Sequence, residues 1–183
     1  MTGSTIEQRK GVVRMTVLVA YASKHGSTEG IAQAIADRLR ELGEPVEVGS
    51  VDEVGDLGEF RAVVLGSAVY AGSWMKEAVE FVHRSAEALA ERPVWLFSSG
   101  PLGTDIEDDE EQPRQLAEMG GIIGPIDHRM FFGALDRSKL GFGERMMVKA
   151  VKAPEGDFRD WDGIRSWADD IARELGVGSS GGR

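Results

Sequence analysis

The sequence predicts one α/β domain, with a doubly wound parallel sheet of five strands and helices on both faces. Continuous apolar runs are typical of strands that are buried on both faces of a sheet. These runs alternate along the chain with amphipathic segments of helical periodicity, the pattern of a parallel sheet joined by crossover helices. The length of 183 residues suits a single domain, and 42% hydrophobic with 28% charged residues is typical of a globular protein.

The first half of the chain predicts three strands and one helix. The apolar run Met15–Ala22 predicts the first strand. In the segment Glu29–Leu42, apolar residues recur every three or four positions, which predicts an amphipathic helix, and the glycine and proline that follow are expected to end it. The short apolar stretches Val46–Val48 and Ala62–Leu65 predict the second and third strands.

The second half predicts two more strands and three more helices. Ser73 is expected to cap a helix that runs to Leu89. The other predicted elements are a strand at Val94–Phe97, a short helix at Pro113–Met119, a strand at Met130–Leu135 and a helix that begins at about Asp160. The domain would then span residues 15–176, between an N-terminal extension (1–14) and a C-terminal tail (177–183) that we expect to be flexible.

Charge and composition exclude several classes of function. The formal net charge is −10, which argues against nucleic acid or an anionic membrane as a general partner, because both attract positive charge. The chain has no cysteine, which excludes disulfides, thiolate catalysis and cysteine-held metal clusters. The three histidines lack metal-ligand spacing, so we expect no metal site. Without a spanning apolar run or a signal-peptide pattern, the expected location is cytoplasmic.

Two segments have an uneven charge. Asp105–Glu111 contains six acidic residues and no basic one; we expect a solvated loop, and the alternative is a docking surface for a basic redox partner. Residues 137–152 hold five basic residues and one acid, Glu144, interleaved with apolar side chains. Such a segment can make peripheral contact with a membrane, or contact a partner protein or a quinone, but we expect it to cover a face of the sheet.

Three strand ends carry small and polar residues and form the candidate site. In a doubly wound sheet the ligand lies beyond the carboxyl ends of the strands, where these segments would converge. The segments are Ser23, Lys24, His25, Gly26, Ser27 and Thr28 after the first strand, Ser67, Ala68, Val69, Tyr70, Ala71 and Gly72 after the third, and Ser99, Gly100, Pro101, Leu102 and Gly103 after the fourth.

The first segment predicts a phosphate site. It joins a buried strand directly to a helix N-terminus, where free N–H groups and the helix dipole favour an anion. Ser23, Ser27 and Thr28 add hydroxyl groups, and Gly26 lets the backbone approach a phosphate closely. The segment has no arginine, so mainly neutral donors would hold the phosphate, with Lys24 as a possible helper. The alternative is that Ser27 or Thr28 only caps the helix.

Residues Val19–Thr28, with Ala32 and Ile35, resemble the flavodoxin signature, except that Ala20 stands where a larger apolar residue is usual. The resemblance covers roughly residues 15 to 175. It implies a flavodoxin-like fold with strand order 2-1-3-4-5. It also implies that the first segment holds the 5′-phosphate of flavin mononucleotide (FMN), and that the second and third segments flank the flavin ring.

The C-terminal part resembles one branch of this family, the menaquinone-dependent protoporphyrinogen dehydrogenases. The matching residues are Phe131–Leu135, Arg145–Lys149 and Asp160–Trp161. Tyr70 and Trp74 are candidates for an aromatic wall beside the ring. The alternative for both is packing in the core, and for Trp74 we favour the core.

The resemblance implies an FMN-binding redox protein that transfers electrons through its flavin, with no catalytic acid or base required. One alternative is a protoporphyrinogen dehydrogenase with a quinone acceptor. Another is a hydride carrier that holds the deazaflavin F420 in the same loop. A flavin-free scaffold is a fourth, non-enzymatic option, and it would leave the three loops without a purpose.

Overall fold

The computed structural model describes residues 16–100, 113–150 and 155–176, and a parallel sheet of five long strands lies at its centre, as the sequence predicts. These strands are β1 (Thr16–Ala22), β2 (Val46–Ser50), β3 (Phe60–Tyr70), β5 (Val94–Ser99) and β6 (Asp127–Phe131). A two-residue strand, β4 (Ser73–Trp74), pairs only with β3. The order β2-β1-β3-β5-β6 is therefore the predicted order 2-1-3-4-5, and every neighbouring pair in it is parallel.

Helices cover both faces of the sheet, which confirms the doubly wound architecture. The helices of one face are α1 (Ser27–Glu41) and α6 (Trp161–Glu174), and those of the other are α2 (Lys76–Arg84), α3 (Ala86–Ala90) and α4 (Leu116–Ile123). Alternate residues of β1 serve the two layers: Val17 and Val19 pack with the α1 and α6 side, and Leu18 and Ala20 with the other. Burial on both faces explains why this strand is a continuous apolar run.

The last helix begins where the sequence predicts. Asp160 is its N-cap, and its carboxylate accepts the N–H of Gly163 at 3.0 Å, which satisfies one of the free donors of the first turn. Ile164, Ala168 and Ile171 are buried against α1 as expected, but Trp161 is 40% exposed and does not belong to the buried stripe.

The prediction that Ser73 caps a helix is wrong. Strand β3 continues beyond the predicted end at Leu65 as far as Tyr70, and the chain then reverses and returns as β4. Ala71 and Gly72 both have positive φ, 50° and 73°, which is the two-residue turn that joins antiparallel strands. Helix α2 starts only after Met75, and Ser85, with φ −112° and ψ 14°, separates it from α3.

The predicted fifth strand, Met130–Leu135, is displaced. The structure begins this strand at Asp127 because β6 lies at the edge of the sheet, where polar residues can face solvent. It ends at Phe131, and Ala134–Leu135 forms a separate strand, β7, that pairs antiparallel with β8 (Gly156–Asp157). The short helix predicted at Pro113–Met119 is likewise shifted, since α4 begins at Leu116.

Between β7 and β8 the chain adds a short 3-10 turn, Arg137–Lys139, and a helix, α5 (Phe142–Ala150). The expectation that this segment covers a sheet face is not supported for α5, since none of its described side chains belongs to either core cluster, although Leu140, just before this helix, is buried. Phe142 is 85% exposed and Met146 is 57% exposed.

In the described ranges no helix combines the length and the apolar character that crossing a membrane requires. Several expectations concern residues outside these ranges: the extension 1–14, the tail 177–183, the acidic segment Asp105–Glu111, and Pro101, Leu102 and Gly103 of the third loop.

Candidate functional site

Three strand ends meet at the carboxyl edge of the sheet, as the sequence predicts. The hydroxyl of Ser27, at the start of α1, lies 3.5 Å from the hydroxyl of Ser99, at the end of β5. Gly100 lies against Val69 near the end of β3: a Cβ at Gly100 would be 3.2 Å from the Val69 Cβ. The third segment of the candidate site therefore contacts both the first and the second through these four residues.

The first segment forms a tight turn into α1. Gly26 precedes the helix with φ 86°, a left-handed conformation that favours glycine. Its N–H donates to the Ser23 hydroxyl at 3.1 Å, which closes the turn. The helix begins at Ser27, so the N–H groups of Ser27, Thr28 and Glu29 belong to the first turn and have no acceptor within the helix.

Thr28 carries a buried hydroxyl without a partner. Its side chain is fully buried, and its Oγ1 is the one buried side-chain polar atom among the described residues that has no hydrogen bond. The interpretation of Thr28 as a helix cap is not supported, because α1 has no side-chain cap. A buried hydroxyl that is left unsatisfied costs about 1–3 kcal/mol. Its position in the first turn of α1 suits an acceptor that arrives with a ligand, such as a phosphate oxygen.

The Ser27 hydroxyl has a structural partner instead. It accepts the N–H of Ala134, the first residue of β7, at 2.9 Å. A Cβ at Gly133 would lie 3.5 Å from the same hydroxyl, so the chain that leaves β6 passes close to the turn. The Ser27 hydroxyl therefore connects β7 to the candidate site. The backbone N–H of Ser27 belongs to the first turn of α1.

Lys24 and His25 share one carboxylate, that of Glu144 on α5. Lys24 forms an ion pair with Glu144 Oε1, and His25 Nε2 lies 3.2 Å from the same oxygen. The second oxygen of Glu144 accepts the N–H of Gly141 at 2.9 Å. The hydrogen bonds from Lys24 and Gly141 lower the pKa of Glu144 to about 2, so the carboxylate is ionised at neutral pH. Sequence reasoning missed this contact, although Glu144 is the one acid in a basic segment.

The second segment is a hairpin rather than a loop. Ser67–Tyr70 belong to β3, and Ala71 and Gly72 form its exposed turn. The Ser67 hydroxyl is buried and accepts the N–H of Met75 at 3.0 Å, which fixes the approach to α2. Tyr70 is 47% exposed. Partial burial raises the pKa of its phenol, and the charges of Lys24 and Glu144 act on that pKa in opposite directions.

Trp74 is a core residue and does not stand free beside the site. It is only 3% exposed, and its Nε1 donates to the buried Ser98 hydroxyl at 2.8 Å. Ser98 also lies 2.8 Å from His128 Nε2. Of the two aromatic candidates for a wall, only Tyr70 is accessible to a ligand.

Arg159 is a second residue that sequence reasoning missed. Its Nη1 donates to the Ser27 carbonyl at 3.4 Å, and its guanidinium lies 4.4 Å from the centre of the Trp161 ring. Two hydrogen bonds to Asp157, of 2.8 and 2.6 Å, fix its orientation. The signal in the sequence was Gly30, a glycine inside a helix, because the guanidinium occupies the space beside it.

The chain matches a known family model. A model described as a flavodoxin domain matches residues 18–162. Among curated relatives, the protoporphyrinogen IX dehydrogenase (quinone) of Escherichia coli K12 is 24% identical over 172 residues, which cover 86% of this chain and 95% of the relative.

Solved structures agree on the fold. A flavodoxin from the domain Archaea superposes with a TM-score of 0.62 at 18% identity, over 88% of this chain and 99% of its own. Oxidised flavodoxin 1 from Bacillus cereus superposes with a TM-score of 0.59 at 15% identity, over 87% and 99%. At such identities the likeness concerns the fold.

Proposed function

Because this chain belongs to the flavodoxin domain family, we propose that it binds FMN and acts as a redox protein that transfers electrons through the bound flavin. The observation that carries the proposal is the unpartnered, fully buried Thr28 hydroxyl in the first turn of α1. It lies beside free N–H groups at the positive end of a helix, which is where a phosphate group is stabilised.

The residues of the first segment divide the work of holding a phosphate. The Thr28 hydroxyl and the N–H groups of the first turn supply neutral donors. Gly26, in its left-handed conformation, allows a tight turn and places no side chain in front of an incoming anion. Ser23 orients the turn through its bond to the Gly26 N–H, and its own proton remains available for a phosphate oxygen. Lys24 adds positive charge at the edge of the site, and His25 adds a ring nitrogen that can form a hydrogen bond.

The second and third segments would flank the ring. Tyr70 offers an exposed aromatic face, and Gly100 brings backbone groups close to Val69 without a side chain between them. A flat, partly apolar ring with a hydrogen-bonding edge suits such a combination of aromatic and backbone surfaces. FMN, when bound, supplies the one- and two-electron chemistry, and the chain's own residues orient it and limit its exposure to water.

The proposal is tested by the absorption spectrum and mass of the ligand that copurifies with the chain. A yellow protein that releases FMN is the expected result. A deazaflavin spectrum and mass would assign F420 to the same loop and change the reaction to hydride transfer. Protein that binds neither compound, even when each is added in excess, would refute the proposal.

A second candidate function is that of a protoporphyrinogen dehydrogenase with a quinone acceptor. The relative from Escherichia coli supports it, and so does the exposed face of α5, where Phe142 and Met146 lie among the basic residues Arg145 and Lys149. Such a face suits an apolar acceptor or peripheral contact of residues 137–152 with a membrane. Turnover of protoporphyrinogen with a menaquinone analogue by the FMN-loaded protein would support this activity, and its absence would leave the carrier function.

A further inference from the structure

Glu144 contacts two residues of the Ser23–Thr28 turn, Lys24 and His25, from a distant part of the chain. It belongs to α5, more than a hundred residues further along the chain, and its Oε1 is shared by Lys24 and His25. The side chains of Lys24 and Glu144 are 55% and 32% exposed, so a ligand can reach both. The Gly141 N–H holds the other carboxylate oxygen at 2.9 Å, which leaves the carboxylate little freedom to turn away.

A flavin phosphate and this carboxylate need the same partners. The turn has two side chains that can carry positive charge, Lys24 and His25, and Glu144 engages both. A phosphate at the first turn of α1 would be attracted by these groups and repelled by the carboxylate, since like charges at short range destabilise one another. The two anions therefore compete.

We propose that Glu144 is a specificity-determining residue, an inference that rests on the proposed function. Its carboxylate competes with the flavin phosphate for Lys24 and His25. This competition couples phosphate binding to the contact of α5 with the Ser23–Thr28 turn, which we call the attachment of α5. Coupling between two binding events is reciprocal. Attachment of α5 weakens the binding of a phosphorylated flavin, and a bound phosphate weakens the attachment of α5 by the same factor. Riboflavin has the same ring without the phosphate, so it leaves α5 in place.

The test compares the dissociation constants of FMN and riboflavin for the full chain and its variants, by quenching of flavin fluorescence. We expect Glu144→Gln to bind FMN about fivefold more tightly, or better, with an unchanged affinity for riboflavin. Lys24→Met should weaken FMN alone. Glu155→Gln is the matched control, because Glu155 is another acid of the same insertion whose ion-pair partner is Arg137, at 3.7 Å, and it should change neither constant.

A second measurement tests whether a bound phosphate weakens the attachment of α5. Trypsin should cleave after Arg145 or Lys149 faster when FMN is bound to the wild-type chain, and riboflavin should have no such effect. In Glu144→Gln, cleavage should already be fast without a ligand. An unchanged ratio of FMN to riboflavin affinity in Glu144→Gln would overturn the inference, even with FMN bound tightly.

Failure of the proposed flavin binding can be distinguished from failure of the competition by Glu144. If the wild-type chain binds neither FMN nor riboflavin, the proposed function fails, and inorganic phosphate becomes the probe. Phosphate that accelerates tryptic cleavage of the wild-type chain and not of Glu144→Gln would still support the competition. Equal cleavage rates with and without phosphate would overturn it.

Discussion

The guanidinium of Arg159 occupies the space beside Gly30 that a side chain at this position would need. The glycine lies in the first part of α1, two residues after the end of the Ser23–Thr28 turn. Arg159 reaches it from the loop before α6, and only 17% of its side chain is exposed. The contact joins the two helices of one face of the sheet next to the candidate site, and it explains a glycine that helix propensity alone disfavours.

Replacing Gly30 should therefore have an effect that depends on Arg159. In an Arg159→Ala background, Gly30→Ala should raise the free energy of unfolding by about 1 kcal/mol, the difference in helix propensity. In the wild-type background, the methyl group displaces the guanidinium and this gain should be lost. Chemical denaturation of the four proteins of the double-mutant cycle measures the coupling. Equal gains in both backgrounds would show that Arg159 does not occupy this space.

Gly66 and Phe97 allow a similar test in the core of the sheet. The two residues are paired in register between β3 and β5, and the Phe97 ring lies where a Cβ at Gly66 would stand. Gly66→Ala should lower the free energy of unfolding by about 1–3 kcal/mol through overpacking. The control is Gly49→Ala in β2, where a Cβ would meet Val54 at an ordinary 3.6 Å. Thermal denaturation should leave the control near wild type, and equal losses would contradict the assigned packing.

The stability of the protein should depend on pH through His128. The indole N–H of Trp74 donates to the Ser98 hydroxyl, which also lies 2.8 Å from His128 Nε2. Burial lowers the pKa of His128, against the opposing charge of Asp127. The unfolded chain then takes up a proton at a higher pH than the folded chain. This contribution to stability is complete above a pH of about 6.5 and is lost as the pH falls below it.

The comparison for this prediction is His128→Gln, which keeps a hydrogen-bonding group and does not titrate. Between pH 8 and pH 5, the free energy of unfolding of the wild-type protein should fall more steeply than that of the variant. Urea denaturation at several pH values gives both slopes. Parallel slopes below pH 6.5 would show that His128 has the same proton affinity in the folded and unfolded chains.

The sequence predicts the centre of the sheet well because the strands β1, β3 and β5 are buried on both faces. Val17 and Leu18 serve opposite layers, so the whole strand must be apolar and its pattern is unmistakable. The edge strand β6 is not buried on both faces. Because it begins with the polar residues Asp127, His128 and Arg129, its start could not be recognised from an apolar run. The hairpin at Ala71 was missed because alanine seldom adopts a positive φ.

In the candidate site, too, the sequence predicts some residues and not others. The turn at Ser23–Thr28 is local in sequence, and its position at a helix N-terminus follows from the order of the elements. Glu144 and Arg159 reach the turn from segments more than a hundred residues away. Gly30 indicates that something packs against the start of α1, but the sequence alone does not identify Arg159 as that neighbour. For Glu144 there is no such signal, because the packing of the added segment between β7 and β8 decides its contacts.

The most direct test of the phosphate site is the affinity of the Thr28→Val variant for FMN and riboflavin. The substitution keeps the shape of the side chain and removes the buried hydroxyl that has no partner. Without a ligand, the variant should be as stable as the wild-type chain or about 1 kcal/mol more stable, since an unsatisfied polar atom is lost. A hydrogen bond to a charged phosphate contributes about 1.5–3 kcal/mol, so the dissociation constant of FMN should rise about tenfold or more while that of riboflavin stays the same. An unchanged affinity for FMN would contradict the assignment of this turn as the phosphate site.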